Sequence, residues 1–134
     1  MAIYIRRFRK GDMDAIDANE TGMDFSEEIK DMIEHSGLAV TGVRNGKVVG
    51  CGGVHPDGEH GTLWLRVSKD CRRFGIEAAR CIKKVLGIFE SEFKFRQLNA
   101  YVRCNFPASI NMMKKLGYTQ TRSGEWNVYS KRVQ

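Results

Sequence analysis

A chain of 134 residues, 42% of them hydrophobic and 28% charged, has the length of a single domain (1–134) and the composition of a globular protein rather than a disordered or fibrous one. Lys and Arg outnumber Asp and Glu by 22 to 16, and the net charge of +6 favours an anionic partner, either nucleic acid or a cofactor carrying several phosphates. No apolar run approaches membrane-spanning length, the opening Met-Ala-Ile-Tyr-Ile-Arg-Arg has no signal-peptide core, and Cys51, Cys71, Cys81 and Cys104 lie too far apart for a disulfide framework or a zinc knuckle. The expectation is a reduced, cytoplasmic protein with no metal and no membrane partner, its cysteines acting as small buried hydrophobes.

In chain order, Ile3, Ile5 and Phe8 mark a short opening strand that breaks at Lys10-Gly11. Met13 and Ile16, following Asp12, predict a short helix stopping near Thr21-Gly22. Asp24 offers an N-cap with Glu27 at the third helical position, and Ile29, Met32 and Ile33 carry the next helix to Gly37. His35, in its last turn, reads as a favourable C-terminal charge. Leu38–Val43 and Val48–Val54 are β-rich runs joined by Arg44-Asn45-Gly46-Lys47. Asn-Gly there predicts a type I′ hairpin, because both central residues of that turn need positive φ. His55 to Gly61 reads as a second turn, leading into a strand over Thr62–Val67.

A helix from roughly Gly75 to Phe89 carries Ile76, Ala79, Ile82, Leu86 and Phe89 on one stripe, and Gln97–Val102 is another strand. Pro107 opens a helix with Ile110, Met113 and Leu116, which Gly117 ends. Tyr118–Thr121 and Trp126–Ser130 form a closing hairpin around Ser123-Gly124. The order β-α-α-β-β-β-α-β-α-β-β is not the alternation of a doubly wound sheet. It predicts an α/β (α+β) fold: a mixed, mostly antiparallel sheet of about seven strands flanked by about four helices. Most of Trp64, Phe74, Phe89, Phe93, Phe95, Tyr101 and Trp126 fall on faces assigned to the core, so a base-stacking surface for nucleic acid is not expected.

The segment Val67-Ser-Lys-Asp-Cys-Arg72-Arg73-Phe74-Gly75-Ile76-Glu77 leaves a strand, turns through basic residues and opens a helix. The N–H groups of a helix start point outward together, the helix dipole favours negative charge, and Gly75 lets a bulky anion approach the backbone. Arg72 and Arg73 add charge-assisted donors.

This spacing, from Val67 through Arg72 to Gly75-Ile76, resembles the acetyl-CoA motif of the GNAT N-acetyltransferases, [Gln/Arg]-x-x-Gly-x-[Gly/Ala] after a strand ending in Val. Asn105, Ala108-Ser109-Ile110 and Lys115-Leu116-Gly117-Tyr118 resemble a downstream segment of the same family, and Ile5-Arg6-Arg7-Phe8 with Asp12 resembles its usual start. The resemblance implies a GNAT fold whose fourth and fifth strands splay apart, with acetyl-CoA as cofactor and a primary amine of a protein or small molecule as acceptor. Main-chain amides across Arg72, Arg73, Phe74, Gly75 and Ile76 would hold the pyrophosphate. The edge formed by Leu65, Arg66 and Val67 would pair with pantetheine, an N–H near Val67 would polarise the acetyl carbonyl, and Asn105 would bond the pantetheine arm. Glu59 and His60, which precede the cofactor strand, are the candidate bases, with His55 behind them. Asp24, Glu27 and Glu28 fall where the family forms its acceptor groove, although helix capping explains them equally well. The expected assembly is a monomer, or a homodimer through the C-terminal strands.

Two positions depart from the family pattern. Glu77 stands where Gly or Ala is usual, and a carboxylate beside a pyrophosphate is repulsive unless its side chain turns away. Met113 stands where many members carry a Tyr as general acid. Both favour a second reading, a GNAT-like domain without catalysis that binds or builds, as in small phage-encoded proteins of this length. Tyr118 is read as core.

Overall fold

A computed structural model describes residues 2–16, 25–68, 73–103 and 107–133. The strands are β1 (Tyr4–Arg7), β2 (Ala39–Arg44), β3 (Lys47–Asp57), β4 (His60–Val67), β5 (Gln97–Arg103), β6 (Thr119–Arg122) and β7 (Trp126–Arg132). The helices are α1 (Glu27–Ser36), α2 (Gly75–Glu92) and α3 (Pro107–Lys115), preceded by a 3₁₀ turn over Lys10–Ala15. The seven strands make one mixed sheet in the order β1-β2-β3-β4-β5-β7-β6, with β4 and β5 parallel. This is the element order and the sheet expected from the sequence. Among the described residues no helix is long and apolar enough to cross a membrane.

The hairpin between β2 and β3 forms as predicted, with Asn45 at φ 55° and Gly46 at φ 73°. Three other elements differ from expectation. His55 to Gly61 is not one long turn: β3 runs to Asp57, β4 starts at His60, and only Gly58-Glu59 remain between them. Pro56 is tolerated because the β2 ladder ends at the pair Ala39↔Gly53, so no ladder N–H to β2 is needed beyond it. The N-cap of α1 is Ser26, whose side chain accepts from the Ile29 N–H, and Asp24 lies outside the described residues. The first helix is a short 3₁₀ turn closed at Ile16; its predicted stop near Thr21-Gly22 also falls outside them.

The chain divides into two compact units, Met1–Gly53 with Leu65–Cys81, and Val54–Trp64 with Ile82–Gln134. In the first, β1 pairs antiparallel with β2 from Tyr4↔Val43 to Arg7↔Val40. Phe8, Met13, Ile16, Ala39, Val43, Val49 and Cys51 are buried there. Buried among them is Asp12, 6% exposed, its carboxylate taking two bonds from Arg6 at 2.8 and 2.7 Å, one from the Arg9 N–H at 2.7 Å and one from the Thr41 hydroxyl at 2.7 Å. Burial alone would raise the pKa of this carboxyl; the bonds from Arg6, Thr41 and Arg9 outweigh it and hold the group below its ordinary value. Helix α1 turns Lys30 inward, to Asp14 at 2.7 Å and Glu27 at 3.1 Å, and leaves Ile29 and Met32 exposed, the reverse of the apolar stripe read from the sequence.

In the second unit, β5 pairs with β7 from Gln97↔Arg132 to Arg103↔Trp126, and β7 with β6. Leu63, Trp64, Leu86, Phe89, Phe95, Leu98, Ala100, Met113, Tyr118, Val128 and Tyr129 form its core. The α2 stripe is buried only at Leu86 and Phe89; Ile76, in the first turn, is 75% exposed. Tyr101 is 40% exposed, outside the core assigned to it.

Two outcomes follow from the first unit. A group with a depressed native pKa stabilises fully above the unfolded value, near pH 4 for an aspartate, and loses that contribution as pH falls through the native value. Asp12→Asn is therefore expected to cost about 2 kcal/mol at pH 7, towards the low end for a broken buried pair because Arg6 stays partly in water. Urea unfolding of both proteins should show the difference narrowing below pH 4. Burial first, then the Asp12 charge, pushes the Cys51 thiol up to about 12. Native protein at pH 8 should leave Cys51 unalkylated by iodoacetamide while the half-buried Cys81 reacts, as peptide mass spectrometry would read directly.

Candidate functional site

The end of β4 and the start of α2 concentrate the features singled out in the sequence. Along an extended strand the main-chain N–H and C=O groups of successive residues face opposite edges. The Ser68 N–H donates to the Val49 carbonyl at 2.9 Å and so faces β3. By alternation Arg66 also turns its main-chain groups to β3, and a Cβ at Gly50 would lie 3.3 Å from the Arg66 oxygen. Leu65 and Val67 consequently direct theirs to the other edge of β4. Pairing of β4 with β5 runs from His60↔Gln97 to Leu63↔Ala100, ahead of both residues. The Arg66 side chain is 5% exposed, with its guanidinium 3.4 Å from the Ile16 carbonyl oxygen. It is a buried structural cation, and the edge position falls to its two neighbours.

Beyond Val67, the buried Ser68 hydroxyl has no hydrogen-bond partner among the described residues. Arg72 and Asn105 lie outside those residues, as do Asp24, Cys71 and Cys104. Arg73 is exposed and Phe74 half-buried, and Gly75 begins the 18-residue helix α2. A Cβ at Gly75 would meet nothing within 4 Å among the described residues, and its φ is not in the left-handed region. Folding therefore does not demand glycine here. The start of α2, the open space over Gly75 and a buried Ser68 hydroxyl with no partner among the described residues fit a phosphate-bearing ligand that approaches the backbone closely.

Glu77, in the first turn of α2, does not lie free. Its Oε1 accepts the Ile3 main-chain N–H, and its Oε2 is 3.6 Å from Arg44 Nε. Arg44, the last residue of β2, places its guanidinium 4.4 Å from the centroid of the Phe74 ring. The sequence identifies Glu77 as a departure but gives no hint of this trio, since no spacing rule links Ile3, Arg44 and Glu77. Ser68 carries no sequence signal either; only its burial marks it.

The candidate bases sit elsewhere. Glu59 occupies the β3–β4 turn, where its carbonyl accepts from the Arg96 N–H at 2.8 Å and its exposed carboxylate lies 3.6 Å from Arg96 Nε. His60 is exposed at the first position of β4, and His55 is exposed in β3. His60 is the first residue of β4 and Val67 its last, so the candidate bases stand at the other end of the strand from Val67. His35 stands in the last turn of α1 before Gly37, as read from the sequence, its Nδ1 2.8 Å from the Asp31 carbonyl. Glu27 is taken up by Lys30 and Lys10, and Glu28 is exposed in the first turn of α1. Met113 is 7% exposed and Tyr118 3%. Burial, followed by the adjacent Glu90 carboxylate, raises the pKa of the Tyr118 phenol, which leaves it a core side chain as expected.

A profile of the Acetyltransferase (GNAT) family matches residues 4–118. A search of curated proteins gives no match. Among solved structures, an N-acetyltransferase from Staphylococcus aureus Mu50 is 15% identical, with both chains covered completely and a TM-score of 0.78. A GNAT superfamily phosphinothricin acetyltransferase from Sinorhizobium meliloti, solved in complex with AcCoA, is 16% identical, covering 98% of this chain and 89% of its own, with a TM-score of 0.77. The ribosomal-protein-S18-alanine N-acetyltransferase from Escherichia coli is 18% identical, covering 96% and 90%, with a TM-score of 0.68. At these identities the likeness is one of fold.

If glycine at position 75 serves a ligand rather than the backbone, the free protein should accept a methyl group there. Gly75→Ala is expected to keep the fold and raise stability by about 0.5 kcal/mol, the usual gain of Ala over Gly in a helix, measured by denaturant unfolding.

Proposed function

The chain belongs to the acetyltransferase (GNAT) family, and from that premise we propose that the end of β4 and the start of α2 hold acetyl-CoA while a primary amine of a protein or small molecule takes its acetyl group. The cofactor, when bound, supplies an activated thioester. The observation that carries the reading is the alternation along β4, which turns the N–H groups of Leu65 and Val67 away from β3 just before the helix start. Those two residues pair with the pantetheine arm, and the Val67 N–H donates to the acetyl oxygen as negative charge gathers on it. Arg73 and the main-chain amides of Phe74, Gly75 and Ile76 bind the diphosphate, with Arg72 and Asn105 completing the set as the family resemblance implies.

In the reaction the amine nitrogen forms a bond to the carbonyl carbon and the carbon–sulfur bond breaks. The amine gives up a proton and the departing thiolate takes one. Glu59 and His60 stand at the opposite end of β4 from Val67, so neither takes the proton from the amine directly, and water accepts it.

A second reading is favoured by Met113, which is buried and has no proton to donate at the place of the family's general acid. In that case the chain is a binding or structural module, and turnover is absent.

Calorimetric titration with acetyl-CoA, paired with detection of free thiol in the presence of amines, separates the two. The enzyme binds near micromolar strength and releases thiol; a module that retains only the site binds without release. Gly75→Asp sets a carboxylate in the open space at the helix start and should raise the Kd tenfold or more with the circular dichroism spectrum unchanged. Wild-type affinity in that variant would remove the loop from the site.

A further inference from the structure

We propose that Arg44 is a positioning residue for the acetyl-CoA site, acting through Glu77: it neutralises that carboxylate and keeps it from competing with the cofactor for the start of α2. The inference rests on the reading of that helix start as the diphosphate site.

A carboxylate in the first turn of a helix is favoured by the dipole and can reach back to the unpaired N–H groups. In the free protein this is harmless. Where an anion is to bind, the same carboxylate becomes a tethered competitor, and its charge repels the ligand. Glu77 stands two residues after Gly75, in reach of both effects.

Two partners hold it. One oxygen accepts the Ile3 N–H and the other lies 3.6 Å from Arg44 Nε. Ile3 is itself held against the next turn of the helix, its carbonyl 4.0 Å from the Cys81 sulfur. Arg44 ends β2 in register with Lys47, and its guanidinium rests on the Phe74 ring at 4.4 Å. The Arg44 and Glu77 side chains are 28% and 30% exposed, so the pair is half-shielded from solvent. The ring beneath the guanidinium belongs to the residue just before Gly75, which ties the neutralising charge to the loop itself. The Ile3 N–H fixes where the carboxylate points but cannot cancel its charge. That falls to Arg44.

The test is a cycle of four proteins titrated calorimetrically with acetyl-CoA at one low salt concentration: wild type, Arg44→Gln, Glu77→Gln and the double variant. Arg44→Gln should weaken binding about fivefold, the size of one uncompensated charge at close range. Glu77→Gln should tighten it. In the Glu77→Gln background, Arg44→Gln should change the Kd less than twofold, because there is no longer a charge to cancel. Equal weakening in both backgrounds would mean that Arg44 meets the cofactor directly or merely supports the fold, and would overturn the proposal, as would no weakening in either. If Arg44→Gln does not fold, Arg44→Met and Arg44→Lys take its place in the cycle. The neutral Met must lose more affinity than the charged Lys, and equal losses overturn the idea. A wild type that binds no acetyl-CoA overturns the site reading and this proposal with it, whereas binding without coupling between Arg44 and Glu77 overturns this proposal alone.

Discussion

A four-residue strand at the edge of a sheet that buries almost none of its side chains cannot be held by the hydrophobic effect, and in this protein carboxylates hold it at both ends. Tyr4, Ile5 and Arg7 of β1 are exposed, and β2 is its only strand neighbour. At the Arg6 end, the buried Asp12 gathers the guanidinium, the Arg9 N–H and the Thr41 hydroxyl, linking β1, the 3₁₀ turn and β2 through one group. Just before the strand begins, Ile3 gives its N–H to Glu77 on α2. A lone buried carboxylate is costly, and Asp12 is stable only because its donors arrive from different parts of the chain, whereas Glu77 is half-exposed. The edge strand is thereby placed by electrostatics, and the start of α2 is tied to it.

The same economy of hydrogen-bond groups shapes β4. Its first four residues spend one edge on β5, and its last residues spend the other on β3. What remains is a short row of donors and acceptors on Leu65 and Val67. A strand edge left open is ordinarily a liability, because it invites pairing with another chain. Among the described residues, Gly75 has open space over it and the buried Ser68 hydroxyl has no partner. A ligand with both an amide-bearing arm and a diphosphate is the kind that the proposed site would take.

Much of this was legible in the sequence. Asn45-Gly46 specified its turn, since few pairs other than Asn-Gly accept positive φ twice, and the order of elements gave the sheet. What misled was periodicity read without partners. Ile29 and Met32 at helical spacing looked like a core face, yet α1 buries Lys30, because Asp14 and Glu27 compensate its charge. His55 to Gly61 looked like a loop by composition, yet continued strand pairing overrode every turn former except Gly58-Glu59. Ile76 extended the α2 stripe on paper but lies in the first turn, 75% exposed. For Lys30 the partner Asp14, 16 residues away, decided against a local preference, and nothing in a window of residues reports such a contact.

Glu77 shows the same limit at the site itself. Against a motif that asks for Gly or Ala, a glutamate reads as damage, and with Met113 it argues for a fold that has shed its chemistry. Its partners change that inference for one position and leave it standing for the other. Glu77 has an N–H and a guanidinium assigned to it, so its charge is accounted for before any ligand arrives. Met113 has no such substitute: it is packed in the core without a proton to give, and the Tyr118 phenol is buried against Glu90 with its pKa raised. The two departures therefore bear on different steps. The first concerns cofactor binding at the proposed site, where Glu77 meets the Ile3 N–H and Arg44. The second concerns how the thiolate leaves, and a thiolate, unlike an amide nitrogen, is a tolerable leaving group without full protonation because its conjugate acid is far stronger. Loss of the tyrosine then slows this reaction less than loss of the open β4 edge would, and the chemistry of the site rests on the backbone more than on any single side chain.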